Sequence, residues 1–433
     1  MRPILFPALL LFASLAVAAG QTTPATFFDM HINKTTTPWP SATISSIRLW
    51  GTDTTWGDVN TSKGVYDWVL IDKWLATAKT HNVGVMYTFG LTPTWASSKP
   101  GASCGPNPLG SCYPPDDLNS DGTGTNQHWK DFVTAIVTHS KNSNTGHITD
   151  WEIWNEPNVT FQWQGTTEQL VQMAKDARSI ILSIDPTAKV HAPPPTSGIN
   201  GVYKWVNKFL DAGGAAYVDT IDFHGYVHKN QAGVWPIAED MNQLVDNLKG
   251  ALADHGVTLP IWNTEGSWGR TDVNGFDDQD LRAAFAARYL LLQESKSVAR
   301  IFWYEWDNTT HGMLWDDDQN HGCTTPDNTG FICKAGTAYK QVYSWTVNRT
   351  ISSSCAHDAN VTTRWTCSYT GTGSFQGQAI WDTSQSCSNG TCTTVNVKVA
   401  TKYTKYTDLT GKVTTIRNNT VPVGAKPIWL SNQ

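Results

Sequence analysis

The chain has 433 residues, with 31 basic and 37 acidic side chains and a formal net charge of −6. No long basic run interrupts that balance, so nucleic acid is not an expected partner. Its outliers are 21 tryptophans and eight cysteines.

Residues 1–20 carry one positive charge at Arg2, then an apolar run, then the small residues Ala16-Val17-Ala18-Ala19-Gly20. This pattern predicts a signal peptide, because the run is too short and wrongly flanked for a stable membrane span. A secreted or periplasmic protein follows, monomeric and with no membrane partner once the leader is removed. In that setting cysteines form disulfides. Proximity alone pairs Cys104 with Cys112, Cys323 with Cys333, Cys355 with Cys367 and Cys387 with Cys392, one of roughly a hundred connectivities open to eight cysteines. The doubled Cys-x-x-Cys spacing of a zinc site is missing, and no metal or cofactor is expected.

From residue 26, short β-branched and aromatic runs alternate with longer amphipathic stretches, the pattern of repeated βα units. Strands are predicted at 27–32, 44–50, 84–89, 148–154, 189–192, 220–224, 260–264 and 300–304. Helices are predicted at 66–81, 127–141, 167–184, 241–255 and 280–295. The 167–184 segment opens on the capping candidates Thr166 and Thr167 and repeats Leu170, Met173, Ala174 and Ala177 along one face. Residues 91–124 lack periodicity and form a long loop, stapled by Cys104 and Cys112 and expected to shape a cleft. After Trp345 the chain turns Thr-, Ser-, Val- and Tyr-rich with Gly-containing turns. The expected fold is therefore α/β, a (β/α)8 TIM barrel over 21–349 with a small C-terminal antiparallel β domain over 350–433, the latter a structural accessory.

Reactive groups of such barrels sit at the C-terminal ends of strands. Glu156 follows the fourth predicted strand in Trp154-Asn155-Glu156-Pro157-Asn158, and Glu265 ends the seventh. Two converging carboxyl groups are what glycosidic-bond hydrolysis needs. The bland alternative, a cap or solvated loop residue, is weak for five motif residues in a row and stronger for Glu265. Glu305 is the rival nucleophile, and Glu152 is expected to face the lumen as a structural partner. His224 and His228 have an i, i+4 spacing but follow a strand and lack an intervening Glu, which argues against zinc. A Gly-x-Ser-x-Gly elbow is missing, which argues against an esterase. Trp95, Trp163 and Trp268 each lie just past a predicted strand end and are expected sugar-stacking platforms.

Over roughly residues 26–347 the sequence resembles clan A glycoside hydrolases, most closely family 39. The resemblance rests on Trp154-Asn155-Glu156-Pro157-Asn158, Arg48, Thr92-Pro93-Thr94-Trp95-Ala96, His224-Gly225-Tyr226 and Phe302-Trp303-Tyr304. It implies retaining double displacement, with Glu156 as acid/base and Glu265 as nucleophile. Asn155 would contact the sugar 2-hydroxyl, Arg48 and Tyr226 would donate to Glu265, His224 would contact sugar hydroxyls and Trp303 would floor the reacting subsite. The implied substrate is a poly- or oligosaccharide: a β-xyloside, an arabinose-related glycoside or a heteropolysaccharide cut internally. A non-catalytic carbohydrate-binding barrel and a transglycosylase are the alternatives. Asn-x-Ser/Thr sequons occur at Asn33, Asn60, Asn308, Asn348, Asn360 and Asn389, and at Asn158, which is expected unmodified because a glycan there would crowd the cleft.

Overall fold

A computed structural model of the chain describes residues 20–227 and 232–433. Nearly all of the expected signal peptide, and His228, lie outside the described residues.

All eight predicted strands form: β1 (Phe28–Met30), β2 (Ser46–Leu49), β3 (Gly84–Thr88), β4 (Asp150–Glu152), β5 (Lys189–His191), β6 (Ile221–His224), β7 (Ile261–Gly266) and β8 (Arg300–Trp303). They pair in parallel in the order β5-β4-β3-β2-β1-β8-β7-β6, and a parallel bridge between His191 and Thr220 closes the ring. Side chains alternate across each strand. Met86, Trp262 and Phe302, from β3, β7 and β8, meet in one apolar cluster inside the ring. Their neighbours Tyr87 and Ile301 join the larger core outside it, under the helices.

The helical layer contains α1 (Trp56–Val59), α2 (Val69–Thr80), α3 (Gln127–Asn142), α4 (Thr167–Ile184), α5 (Gly198–Asp211), α6 (Met241–Asp254), α7 (Thr271–Asn274), α8 (Gln279–Ser295) and α9 (Lys334–Thr346). The anticipated 167–184 helix begins with a reciprocal capping box between Thr166 and Gln169. Its apolar stripe of Leu170, Met173, Ala174, Ala177 and Ile181 is buried, so Met173→Ala should cost about 2–5 kcal/mol of stability. Helices α5 and α9 escape sequence patterning. The first opens on Gly198 and Gly201 with no side-chain cap, and the second carries Gly336 and Thr337 in its first turns.

Beyond α9, strands at Thr350–His357, Arg364–Thr370, Gln376–Asp382, Ile428–Ser431, Lys405–Thr407 and Val413–Thr415 form, in that order, a six-stranded antiparallel sheet. Residues 20–23 return to this region. Thr22 bridges Thr350, and Ile351 donates its N–H to Gln21. Trp429 and Tyr369 share the barrel's core, with Trp429 stacked on Trp345 of α9. At the seam Glu294 of α8 accepts hydrogen bonds from Thr23 and Tyr369, and burial pushes its carboxyl up to about 8. The cysteines join as the four local pairs. Among the described residues no helix is long and apolar enough to cross a membrane.

Candidate active site

Arg48 of β2 organises the C-terminal end of the barrel. Its side chain is fully buried and needs compensating charge. Nε and Nη2 donate to Glu152 Oε2, Nη1 donates to Glu265 Oε2 at 3.0 Å, and Nη2 also reaches Asn155 Oδ1 at 2.9 Å. Thr88 adds a hydrogen bond to Glu152. Glu152 is thus the expected structural partner, and Asn155, anchored through its oxygen, keeps its Nδ2 donor for a ligand.

Strict alternation would turn Glu265 away from the lumen. Trp262 points inward, whereas Asn263 donates to Tyr289 and Gln293 of α8, on the outer side. The pairing register then shifts: Phe223 faces Asn263, but the next residue, His224, faces Glu265. This bulge re-aims Glu265 into the cavity. There Tyr226 donates to its Oε1 at 2.8 Å while Arg48 holds Oε2. Both expected donors are in place.

Glu156 reaches the same space by another route. Its φ of 43° is left-handed, an uncommon state for a residue with a Cβ. The turn that imposes it is closed by the Val159 N–H on the Glu156 carbonyl. Asn158 braces it by exchanging two 2.9 Å hydrogen bonds with the Thr196 backbone. Locally strained backbone of this kind concentrates at functional sites.

His224 joins the two acids, with Nδ1 2.8 Å from Glu156 Oε1 and 3.8 Å from Glu265 Oε2. One ligand atom from each of the three residues lies within 4.8 Å of the others. Burial lowers the imidazole to about 4, so it is neutral at ordinary pH. Burial also pushes Glu156 up to about 7, against the pull of Thr196 and Arg48. Glu265 is raised as well, by burial foremost and by the neighbouring Glu156, while Arg48 and Tyr226 favour its charged form. A cavity of about 520 Å³ opens over the pair, walled by Trp50, Phe161, Tyr226, Tyr304, Arg270 and His311.

Several expected contributors stand elsewhere. Trp303 does not floor the cavity: next to the inward Phe302 it must point outward, where it is fully buried against Trp268 and Tyr289. Tyr304, one residue on, faces the cavity instead. Trp268 is fully buried beneath Arg282 and is no platform. Trp95 donates to the Asn60 carbonyl and lies edge-on to His128, away from the cavity. Trp163 packs on Trp154 and lines a separate groove with Pro157 and Asn158. His224, with no exposed surface, meets the glutamates rather than sugar hydroxyls. Glu305 is buried and held by Asn308, with burial raising its carboxyl to about 8. The long 91–124 loop supplies no wall residue; it supports the wall from behind.

Sequence patterning missed Tyr304, Trp50 and Phe161. Trp50 and Tyr304 were visible as aromatic residues at strand ends, and parity counted from Phe302 would have favoured Tyr304 over Trp303.

The family model described as glycosyl hydrolases family 39 matches residues 117–307, a span holding both glutamates. A search of curated proteins gives no match. Among solved structures, a monomeric β-xylosidase from Caulobacter crescentus CB15 is similar at 16% identity, with 96% of this chain and 97% of that one covered and a TM-score of 0.59. A glucosidase from Croceicoccus marinus gives 14%, 96%, 97% and 0.58. The GH39 enzyme from Xanthomonas axonopodis pv. citri gives 14%, 95%, 95% and 0.58. These likenesses carry the barrel fold, and the family match over residues 117–307 carries the chemistry: the chain is a retaining glycoside hydrolase, similar to family 39 of the clan A enzymes.

Proposed function

We propose that the protein is an exported glycosidase that hydrolyses β-linked xylose-type oligo- or polysaccharides, with Glu156 as acid/base and Glu265 as nucleophile. The observation that carries this is the convergence of the two carboxyl groups on one cavity. One oxygen from each carboxyl lies within 4.8 Å of the other, which supports the separation of about 5–5.5 Å between carboxyl groups in retaining enzymes over the wider one of inverting enzymes.

In the first step a Glu265 oxygen attacks the anomeric carbon while protonated Glu156 gives its proton to the departing glycosidic oxygen. A glycosyl ester of Glu265 results. In the second, ionised Glu156 takes a proton from water, the water oxygen attacks the same carbon, and Glu265 leaves as carboxylate. A carboxyl poised near 7 suits both halves of this exchange. Arg48 and Tyr226 hold one oxygen of Glu265 each, which aims the nucleophile and steadies the charge it regains. Asn155 Nδ2 is available to the 2-hydroxyl, a contact that strengthens in the transition state.

Xylose-type substrates are favoured because a β-xylosidase and a GH30 endoxylanase stand among the fold relatives. Export is supported by the leader pattern and by four disulfides. The barrel over 21–349 would perform the catalysis as a monomer, without nucleic acid. Residues 350–433 would serve as a brace, since their core is continuous with the barrel's. The test is Glu265→Ala assayed with azide. Lost turnover, partly restored by azide with formation of the glycosyl azide of inverted configuration, is expected. Full activity of the variant would remove Glu265 from the mechanism.

A further inference from the structure

Two aromatic groups, Tyr304 and Trp50, stand with Arg270 and His311 in loops after β2, β7 and β8, around Glu265. Across the cavity the wall comes from loops after β4 and β5: Val159, Phe161, Thr196 and Ser197. Glu156 sits on that second side. A proton given by Glu156 goes to the departing oxygen, so the departing group lies on the β4–β5 side.

Phe161 is the large apolar side chain there, and 38% of its surface is open. A lone exposed phenylalanine is ordinary. This one is fixed from several directions. Its carbonyl accepts a hydrogen bond from Asn107 Nδ2 at 2.7 Å. Gly105 closes on it so tightly that a Cβ there would lie 3.2 Å from the Phe161 Cβ. Asn107 and Gly105 belong to the short loop closed by the Cys104–Cys112 disulfide. On the other flank Gln164 donates its N–H to the Cys112 carbonyl, and Trp154 donates Nε1 to the Gln162 carbonyl. A disulfide-closed loop therefore holds the main chain at Phe161 and again at Gln164, and so fixes the base of one partly open phenyl ring in the cavity wall, next to the proposed proton donor.

We infer that Phe161 is the platform for the sugar ring that departs, and that the Cys104–Cys112 loop exists to hold that platform. The apolar C–H face of a pyranose would lie on the ring, contributing binding for an oligosaccharide and none for a leaving group without a ring. This inference rests on the assignment of Glu156 and Glu265 above.

The test compares kcat/KM for xylotriose with kcat/KM for β-D-xylosyl fluoride, which has the same reacting sugar but no departing ring. Phe161→Ala should lower the first by about tenfold and leave the second unchanged. Phe161→Trp should restore the first. Asn107→Ala, which removes the hydrogen bond that holds the Phe161 carbonyl, should show the same split at smaller amplitude. Equal effects on both substrates, or none on xylotriose, would overturn the inference. A wild-type enzyme inert on both would instead overturn the substrate assignment on which it rests.

Discussion

The barrel lumen buries charge at both ends, in opposite ways. At the N-terminal end Arg300 donates to Asp29, and His191 lies 2.9 Å from Asp150 and 3.5 Å from Asp222, with Thr220 bonded to both His191 and Asp222. Burial opposes the charge on His191, but its two acidic neighbours outweigh it and raise the imidazole to about 9. At the C-terminal end burial wins over the neighbours of Glu156 and holds it near 7. One end locks its protons in place, and the other keeps one ready to move. Burial alone therefore does not mark a reactive group; incomplete compensation beside an open cavity does.

The largest expected effect lies at the reactive end. Glu265→Ala should lose about 10⁴-fold or more in kcat, with the fold intact by circular dichroism. Glu156→Gln should lose about 10²–10⁴-fold on xylo-oligosaccharides and far less on aryl glycosides with good leaving groups, in a paired steady-state assay. If Glu156 is the proposed acid, it can act only when protonated, so wild-type kcat/KM should fall as pH rises through about 7, and the Gln variant should lack that limb. A basic limb that persists in the variant would assign it to another group.

Changes at the locking end should appear in stability rather than turnover. His191→Phe strands Asp150 and Asp222 in the core and should cost about 3–5 kcal/mol in denaturant unfolding. The imidazole's folded value of about 9 exceeds its ordinary value of about 6.5. Its stabilising contribution is therefore complete below about 6.5 and is lost as pH rises through about 9. Wild-type Tm should decline across that window, and His191→Phe should flatten the decline. Smallest of all, Trp303→Phe should change KM little, because Trp303 faces α8, while Tyr304→Ala should raise it. The reverse ranking would restore Trp303 to the cavity.

Much of this was legible in the sequence, and the exceptions share a cause. The eight strands follow from composition and period, and the place of Glu156 beside the cavity from its motif. Trp268 and Trp95 were placed by proximity to a strand end and Trp303 by the family resemblance, neither of which fixes the side faced. A single step of parity separates Trp303 under the helices from Tyr304 in the cavity. Glu265 shows the converse, since a bulge that no pattern announces turns it inward. Phe161 lies in no strand, and its place depends on a loop some fifty residues earlier through the Asn107 contact.

The central claim, that Glu265 forms the covalent bond, has one direct test. Incubation with a 2-deoxy-2-fluoro-β-xylosyl fluoride, which slows release of the intermediate, followed by peptide mass spectrometry, should find the fluorosugar on the peptide carrying Glu265. Label on Glu305, or on Glu156, would contradict the account.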